Sequence, residues 1–218
     1  MNILRLLPRK GNLLLCQIRY LSCWSCGQDI KQLVENLFCS NCKSLQQPTK
    51  ENYFKILGVS ETYDQNENEL AKRFKELQKY LHPDKFANKA KEEQEISEKY
   101  SSLVNESYST LLNPLTRGIY MLRLSGKEIL EETEVKDQAF LMMIMEKNEE
   151  VENAETEEEI MKLNKENKEL MNKLQKQVSQ AFHDGDLKLV VKLLSQMKYY
   201  TSIDQQIQNL IRSKGIIR

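Results

Sequence analysis

Helix-breaking residues are scarce in this chain, and their scarcity limits the folds that it can adopt. The 218 residues include seven glycines and four prolines, whereas an all-β fold of this length needs many turns and therefore more of both. Apolar residues recur three or four positions apart through much of the chain, as they do on one face of an α-helix. Hydrophobic residues make up 40% and charged residues 29% of the chain, which are ordinary values for a folded protein. The sequence therefore predicts an all-α fold.

The first 22 residues differ from the rest in charge. They carry Arg5, Arg9, Lys10 and Arg19 and no acidic residue. An arginine-bearing, leucine-rich leader without acids is typical of a mitochondrial presequence, and its longest apolar run is too short for the core of a secretory signal. We expect a presequence over residues 1–21 and import into the mitochondrial matrix; a frayed N-terminus is the alternative.

The charge and hydropathy of the whole chain argue against two classes of partner. The chain has 32 basic and 32 acidic residues, whereas nucleic-acid-binding domains usually carry a clear basic excess. Its longest apolar run, residues 139–145, has seven residues, far short of the roughly 18 that a helix needs to span a bilayer. We therefore expect no nucleic-acid partner and no membrane insertion.

Four of the five cysteines form two closely spaced pairs. Cys23 and Cys26 form one C-x-x-C pair, and Cys39 and Cys42 form the other. Each such turn points two thiolates at one centre, and two turns complete a tetrahedral shell that suits Zn2+. Residues 22–48 hold too few apolar side chains for a core, so metal ligation would supply the folding energy. We expect a structural zinc module; disulfides or reactive thiols are the alternatives, which a reducing compartment disfavours.

Two amphipathic helices are predicted on either side of His82-Pro83-Asp84. The first begins at a capping-box pattern, residues 66–69, and continues with apolar residues at helical spacing as far as Leu81. It must end there, because the residue before a proline is disfavoured in the α conformation. The second helix runs from about residue 92 to residue 112, where Asn113-Pro114 ends it.

Basic residues crowd the first of these helices and the loop after it. The residues predicted to form a contact surface are Lys72, Arg73, Lys75, Lys79 and Lys85. A basic face beside a polar turn that Pro83 rigidifies would steer the chain toward an acidic groove on a protein partner. The alternatives are a solvated helix face and a turn histidine without a partner.

Together these residues resemble a J-domain. The resemblance covers residues 53 to about 126 and includes Y-F-K-I-L-G-V at its start and Y-L-H-P-D-K-F at the loop. It implies a helical hairpin, assigned to residues 51–126, that docks on an ATP-bound DnaK-class chaperone and triggers ATP hydrolysis by that chaperone. The contact would be made by His82, Pro83 and Asp84. The chain itself would hydrolyse nothing, so we expect no catalytic residue in it.

Three further helices are predicted after residue 126. The pattern places them at about 134–154, 156–183 and 187–212. Because their connections are short, neighbouring helices should run antiparallel and form a three-helix bundle over residues 127–218. In the last helix the predicted core stripe is Leu193, Met197, Tyr200, Ile203, Ile207 and Ile211.

The first helix of this bundle is apolar on more than one side. At 100° per residue it divides into a predicted core set of Phe140, Met143, Ile144 and Val151 and an outer set of Leu141, Met142 and Met145. An apolar stripe beside carboxylates is either extra burial or a partner surface, and methionine is well adapted to the second. Tyr199 on the last helix likewise lies about 100° from the core stripe.

Two short motifs accompany this bundle, L-x-L-x-G from Leu122 and D-x-A-F-L-M from Asp137. With the J-domain pattern they resemble the HscB family of J-domain co-chaperones for iron–sulfur cluster assembly, over about residues 53–210. The cysteine module and the leader resemble its mitochondrial branch. The resemblance implies a bundle that binds the iron–sulfur cluster scaffold protein through Leu141, Met145 and Tyr199. Met142, Glu146 and Glu149 would make secondary contacts. Two further possibilities stay open: that the chain forms a homodimer, and that some of the protein is also found in the cytoplasm.

The sequence is thus interpreted as that of an adaptor, which holds the scaffold protein on its bundle, recruits a mitochondrial DnaK-class chaperone and promotes cluster transfer. Two alternatives remain. The first is a J-domain co-chaperone for a different mitochondrial client, and the second is a zinc or thiol redox protein built on the four cysteines. Glycine-rich phosphate loops and the G-x-S-x-G pattern of hydrolases are absent from the sequence, which argues against an enzyme.

Overall fold

The structure is a computed structural model, and it describes residues 21–30, 37–48, 51–128 and 137–216. The chain divides into two compact units, residues 1–49 and residues 50–218. Apart from its last residue, the predicted presequence lies outside the described residues.

The first unit contains two tight turns, each closed by a short antiparallel pairing. β1 (Leu21–Ser22) pairs with β2 (Asp29–Ile30), with the first residue of β1 opposite the last residue of β2. A single bridge between Phe38 and Leu45 closes the second turn. Pairings this short do not hold a fold together in water, so the unit depends on what its turns enclose.

The second unit is built from helices, as the sequence predicts. Its described residues contain α1 (Tyr53–Leu57), α2 (Glu67–Leu81), α3 (Lys91–Leu112), α4 (Pro114–Leu124), α5 (Gln138–Glu152), α6 (Glu157–His183) and α7 (Leu187–Ser213). A short 3-10 turn, Pro83–Phe86, lies between α2 and α3. The predicted start of α5, near residue 134, falls outside the described residues. Among the described helices, none is long and apolar enough to cross a membrane.

Polar residues begin the helices where the capping patterns place them. The Asn66 side chain accepts hydrogen bonds of 2.9 and 3.2 Å from two amides in the first turn of α2, donors that otherwise lack a partner there. Thr156 and Glu159 form a complete capping box at the start of α6. Asn113 follows the end of α3 and caps α4. Asn113-Pro114 therefore ends one helix and begins the next, because proline fits the first turn of a helix.

The core of the second unit is centred on α7. This helix packs most extensively against α6 and also contacts α4 and α5. Five residues of its predicted stripe are buried, and the sixth, Ile211, is half-buried. Because each buried aliphatic side chain contributes about 1.5–3 kcal/mol, α7 is the main source of packing energy for the helices around it.

Before residue 126, α4 and the loop that carries Tyr63 pack directly against α7. A Cβ atom at Gly118 of α4 would lie 2.6 Å from a methyl carbon of Leu194 and 3.2 Å from the Tyr63 ring. The Tyr63 hydroxyl donates a hydrogen bond to the Met197 sulfur at 4.0 Å. The Arg117 guanidinium carbon lies 5.1 Å from the centre of the Tyr63 ring. Only a glycine allows this approach without displacing buried side chains.

Candidate functional site

The two C-x-x-C pairs fold into turns of the same form. The Gly27 amide donates to the Cys23 carbonyl at 2.9 Å, and the Lys43 amide donates to the Cys39 carbonyl at 3.0 Å. The residue after the second cysteine of each pair has a positive φ, 73° at Gly27 and 61° at Lys43. This left-handed conformation reverses the chain within one residue, so both cysteines of a pair face a common centre.

The four sulfurs converge on one point. All four Sγ atoms lie within 4.8 Å of one another. Cys23 Sγ is 3.6 Å from Cys42 Sγ, and Cys26 Sγ is 3.8 Å from Cys39 Sγ, whereas a disulfide bond would bring two sulfurs to about 2.05 Å. Sulfurs held at about 2.3 Å from a central Zn2+ lie about 3.8 Å apart at the corners of a tetrahedron. The predicted cysteine cluster is confirmed, and its donor set can hold a metal ion.

Neighbouring polar groups contact two of the sulfurs, and at Cys42 they favour the thiolate form. The amide of the buried Gln46 side chain donates to Cys23 Sγ at 3.4 Å. Hydrogen bonds from the Ser44 hydroxyl and from its backbone amide lower the pKa of Cys42 to about 6. The thiolate is the form that binds metal. The sequence pattern missed Gln46, because an amide outside the C-x-x-C pairs carries no spacing signal.

The His82-Pro83-Asp84 loop follows α2, and its backbone is held by buried neighbours. Leu81 is buried, and the Ser97 hydroxyl of α3 donates to the Leu81 carbonyl at 2.8 Å. The His82 and Asp84 side chains are exposed. The Asp84 amide donates to His82 Nδ1 at 3.4 Å. The loop therefore presents an imidazole and a carboxylate on a fixed backbone.

The basic residues predicted as a contact surface all face solvent. They are Lys72, Arg73, Lys75, Lys79 and Lys85. Lys72, Lys75 and Lys79 lie within about 60° of one another around α2. On the inner side of α2, the Phe74 ring stacks on Tyr108 of α3 with ring centroids 4.3 Å apart. Packing on one side thus fixes the direction in which the basic side points.

The outward face of α5 carries three exposed methionines. Met142 and Met145 are each 63% exposed, and Met143 is 39% exposed. The assignment of Met143 to the core is therefore wrong. α5 contacts α7 more than it contacts α6, so its buried side is a narrow stripe around Phe140 and Ile144. Met143 lies about 80° from the centre of that stripe.

Leu141 and Tyr199 lie where α5 meets α7. Both are half-buried against the core. The Phe140 ring packs edge-on against the Tyr199 ring with centroids 5.6 Å apart, which places Tyr199 beside the first half of α5. Glu146 and Glu149 are exposed on α5. The structure therefore brings Tyr199 and the first half of α5 together, although they lie far apart in the sequence.

Comparison with known proteins matches both halves of the second unit. Residues 52–120 match the DnaJ domain, and residues 136–208 match the HSCB C-terminal oligomerisation domain. The chain is 35% identical to the mouse iron–sulfur cluster co-chaperone protein HscB over 189 residues, covering 85% of this chain and 81% of the mouse protein. The human protein of the same name is also 35% identical, and the match covers 87% of this chain and 82% of the human protein. The chain belongs to the HscB family.

Solved HscB structures share this architecture. The crystal structure of human co-chaperone protein HscB superposes with a TM-score of 0.81 at 34% identity, covering 86% of this chain and 97% of the human chain. HscB from Vibrio cholerae, at 23% identity, has the same fold with a TM-score of 0.67, covering 75% and 99% of the two chains. The predicted all-α fold with a J-domain and a C-terminal bundle is confirmed, and the chain is a J-domain co-chaperone of iron–sulfur cluster assembly.

Proposed function

We propose that this HscB-type chain binds the iron–sulfur cluster scaffold protein, delivers it to a mitochondrial DnaK-class chaperone and stimulates the ATPase of that chaperone, thereby promoting cluster transfer. The observation that carries the proposal is the presence of two surfaces of opposite character on one helical unit. One is polar and basic, and the other is apolar. Neither step requires a second copy of the chain.

The polar surface is proposed to contact the chaperone, and we call it the chaperone surface. It consists of Lys72, Arg73, Lys75, Lys79, His82, Pro83, Asp84 and Lys85. Its support is the exposed loop on a fixed backbone beside a cluster of exposed lysines. A basic face accelerates encounter with an acidic partner, and a rigid turn loses little entropy on binding.

The apolar surface is proposed to contact the scaffold protein, and we call it the scaffold surface. It consists of Leu141, Met142, Met145, Glu146, Glu149 and Tyr199. Two methionines at 63% exposure are unusual on a surface that faces only water, and they can adapt to an uneven partner. The two carboxylates lie at its edge, where charged residues of interfaces are usually found.

Holding both partners on one unit explains how an adaptor without catalytic residues would act. When the scaffold protein is bound to the bundle and the chaperone to the J-domain, the scaffold is near the chaperone at an effective concentration in the millimolar range for a short tether. ATP hydrolysis by the chaperone then traps the scaffold protein.

The remaining predictions complete this proposal. The cysteine cluster holds Zn2+ in a structural role over residues 22–48, because four protein ligands leave no open position for chemistry. Residues 1–21 direct the chain to the mitochondrial matrix, residues 51–126 form the J-domain, and residues 127–218 form the scaffold-binding domain. The mouse, human and Arabidopsis relatives, all eukaryotic HscB proteins, support a mitochondrial site of action.

The test is a calorimetric titration of the full chain with the mitochondrial scaffold protein, beside two variants of the scaffold surface. Leu141→Ala/Tyr199→Ala removes the half-buried contacts, and Met142→Gln/Met145→Gln changes only exposed side chains. Leu189→Ala is the matched control, because Leu189 is exposed on α7 and lies outside the scaffold surface. We expect both double variants to bind at least about tenfold more weakly, which corresponds to about 1.4 kcal/mol, and the control to bind as the unmodified chain does.

Two results would contradict the proposal in different ways. If the unmodified chain stimulates the chaperone ATPase but does not bind the scaffold protein, the co-chaperone has a different client. If it binds the scaffold protein but all three variants bind equally well, the client is right and the surface is wrong. Circular dichroism of each variant establishes that a loss of binding does not come from unfolding.

A further inference from the structure

The exposed methionines of this chain are concentrated at one place. Among the methionines that the structure describes, three have exposed side chains: Met142, Met143 and Met145. All three lie in the first half of α5. The other described methionines are Met121, Met161 and Met171, which are half-buried, and Met197, which is fully buried. Three oxidisable thioethers therefore face solvent within four residues.

These three side chains are spread over much of the solvent side of the first half of α5. At 100° per residue, the arc from Met145 through Met142 to Met143 spans about 160° around the helix. Two of the three belong to the scaffold surface, and the third extends it beyond the residues predicted from the sequence. The apolar character of this region thus depends largely on sulfur-containing side chains, which differ from leucine in being readily oxidised.

We propose that Met142, Met143 and Met145 form a modification site for hydrogen peroxide, and that their oxidation to methionine sulfoxide weakens binding of the scaffold protein. The site and its selectivity follow from exposure alone, whereas the effect on binding rests on the proposed function. Peroxide would then also reduce delivery of the scaffold protein to the chaperone.

The chemical step needs no group from the protein other than the thioether. The sulfur attacks one oxygen of hydrogen peroxide, the O–O bond breaks, and the second oxygen leaves as hydroxide. The hydroxide takes the proton from the oxygen now bound to sulfur and becomes water. The sulfur is oxidised by two electrons, and the peroxide is reduced by two.

The product changes the surface in a definite way. A sulfoxide is a strong hydrogen-bond acceptor on a side chain that was apolar. Buried against an apolar partner without a donor, it loses its hydration without compensation. Oxidation should therefore weaken binding by about tenfold or more, while the fold is unaffected because the three side chains are outside the core.

The experiment treats the full chain with hydrogen peroxide and follows two readouts. Peptide mass spectrometry gives the rate of sulfoxide formation at each methionine, and calorimetry gives the affinity for the scaffold protein before and after treatment. A thiol reductant and Zn2+ are added after the peroxide to restore the cysteine cluster. The variant Met142→Leu/Met143→Leu/Met145→Leu keeps every cysteine and receives the same treatment, and each protein is compared with its own untreated sample.

We expect the three exposed methionines to be oxidised at least about tenfold faster than Met197. The treated protein should bind the scaffold protein at least about tenfold more weakly than the untreated protein does. Methionine sulfoxide reductases of both epimer specificities should restore the affinity. The leucine variant should bind the scaffold protein equally well before and after treatment.

Equal affinity with all three sulfoxides present would overturn the proposal while the proposed function stood. An equal loss in the leucine variant would assign the effect to the cysteines or to the remaining methionines and would also overturn the proposal. If the untreated chain does not bind the scaffold protein, the proposed function fails, and the regulatory effect fails with it.

Discussion

The chaperone surface and the scaffold surface obtain their shape in different ways. The first places charged and polar side chains on a loop whose backbone is anchored from behind, by buried Leu81 and the Ser97 hydroxyl. The second uses side chains of regular helices, and two of them, Leu141 and Tyr199, are also part of the core packing. The exposed side chains of the chaperone surface can therefore change with little effect on stability, whereas Leu141 and Tyr199 of the scaffold surface serve binding and folding together.

The largest expected effect concerns the loop. His82→Gln should reduce stimulation of the chaperone ATPase by about a hundredfold, because an exposed side chain at the centre of a contact can carry several kcal/mol of binding energy. Scaffold binding should be unchanged. ATPase assays with the purified chaperone and calorimetry with the scaffold protein measure the two effects, and a His82→Gln variant that still stimulates fully would remove the loop from the proposal.

The second prediction concerns stability. Tyr199→Ala and Leu141→Ala should each lower the free energy of unfolding by about 1–2 kcal/mol, since half-buried side chains lose part of the packing that a buried one loses. His82→Gln should change it by less than about 0.5 kcal/mol. Urea unfolding followed by circular dichroism compares the three variants, and equal losses at the loop and the helices would contradict the distinction between the two surfaces.

Salt separates the two surfaces by their electrostatics. Raising the ionic strength from 0.05 to 0.5 M should slow association with the chaperone by about tenfold, because screening weakens attraction between exposed charges. Association with the scaffold protein should change by less than about twofold. Stopped-flow measurements of both association rates test this, and a salt-sensitive scaffold rate would indicate that Glu146 and Glu149 contribute more than the apolar residues.

The smallest effect is expected from metal removal. Chelation should unfold the cysteine module, residues 22–48, whose folding energy we assign to the metal. The melting temperature of the helical unit should stay within about 2 °C. Metal analysis of the native protein should find one zinc per chain, and mass spectrometry should find no disulfide. A chelated protein that lost scaffold binding would show that the cysteine module takes part in a function assigned only to the helices.

The helices and the cysteine turns could be predicted because their signals are local. A capping residue such as Thr156, a helix end before Pro83, and the C-x-x-C spacing are each contained within a few residues. The assignment of Met143 to the core was wrong because burial at that position is not set by a local signal. How wide a stripe a helix buries depends on how many neighbours it has, and α5 packs chiefly on α7, which no local pattern reveals.

Long-range polar contacts also escaped prediction. Gln46 reaches a cysteine sulfur, and Asn167 is buried in α6 with its amide donating to the Tyr200 carbonyl of α7 at 3.2 Å. Nothing in the sequence near either amide predicts burial, since asparagine and glutamine are mostly exposed in proteins. Their roles follow only from the elements that meet around them.

The central position of α7 has a consequence for synthesis of the protein. Tyr63 and Met197, which are in contact, are 134 residues apart in the chain, and the ribosome completes α7 last among the described helices. Until then Gly118 and Tyr63 lack the surface against which they pack. A premature stop before Leu187 would therefore not release a shortened but well-packed J-domain protein. It would yield a nascent chain with exposed apolar residues, a substrate for proteolytic quality control.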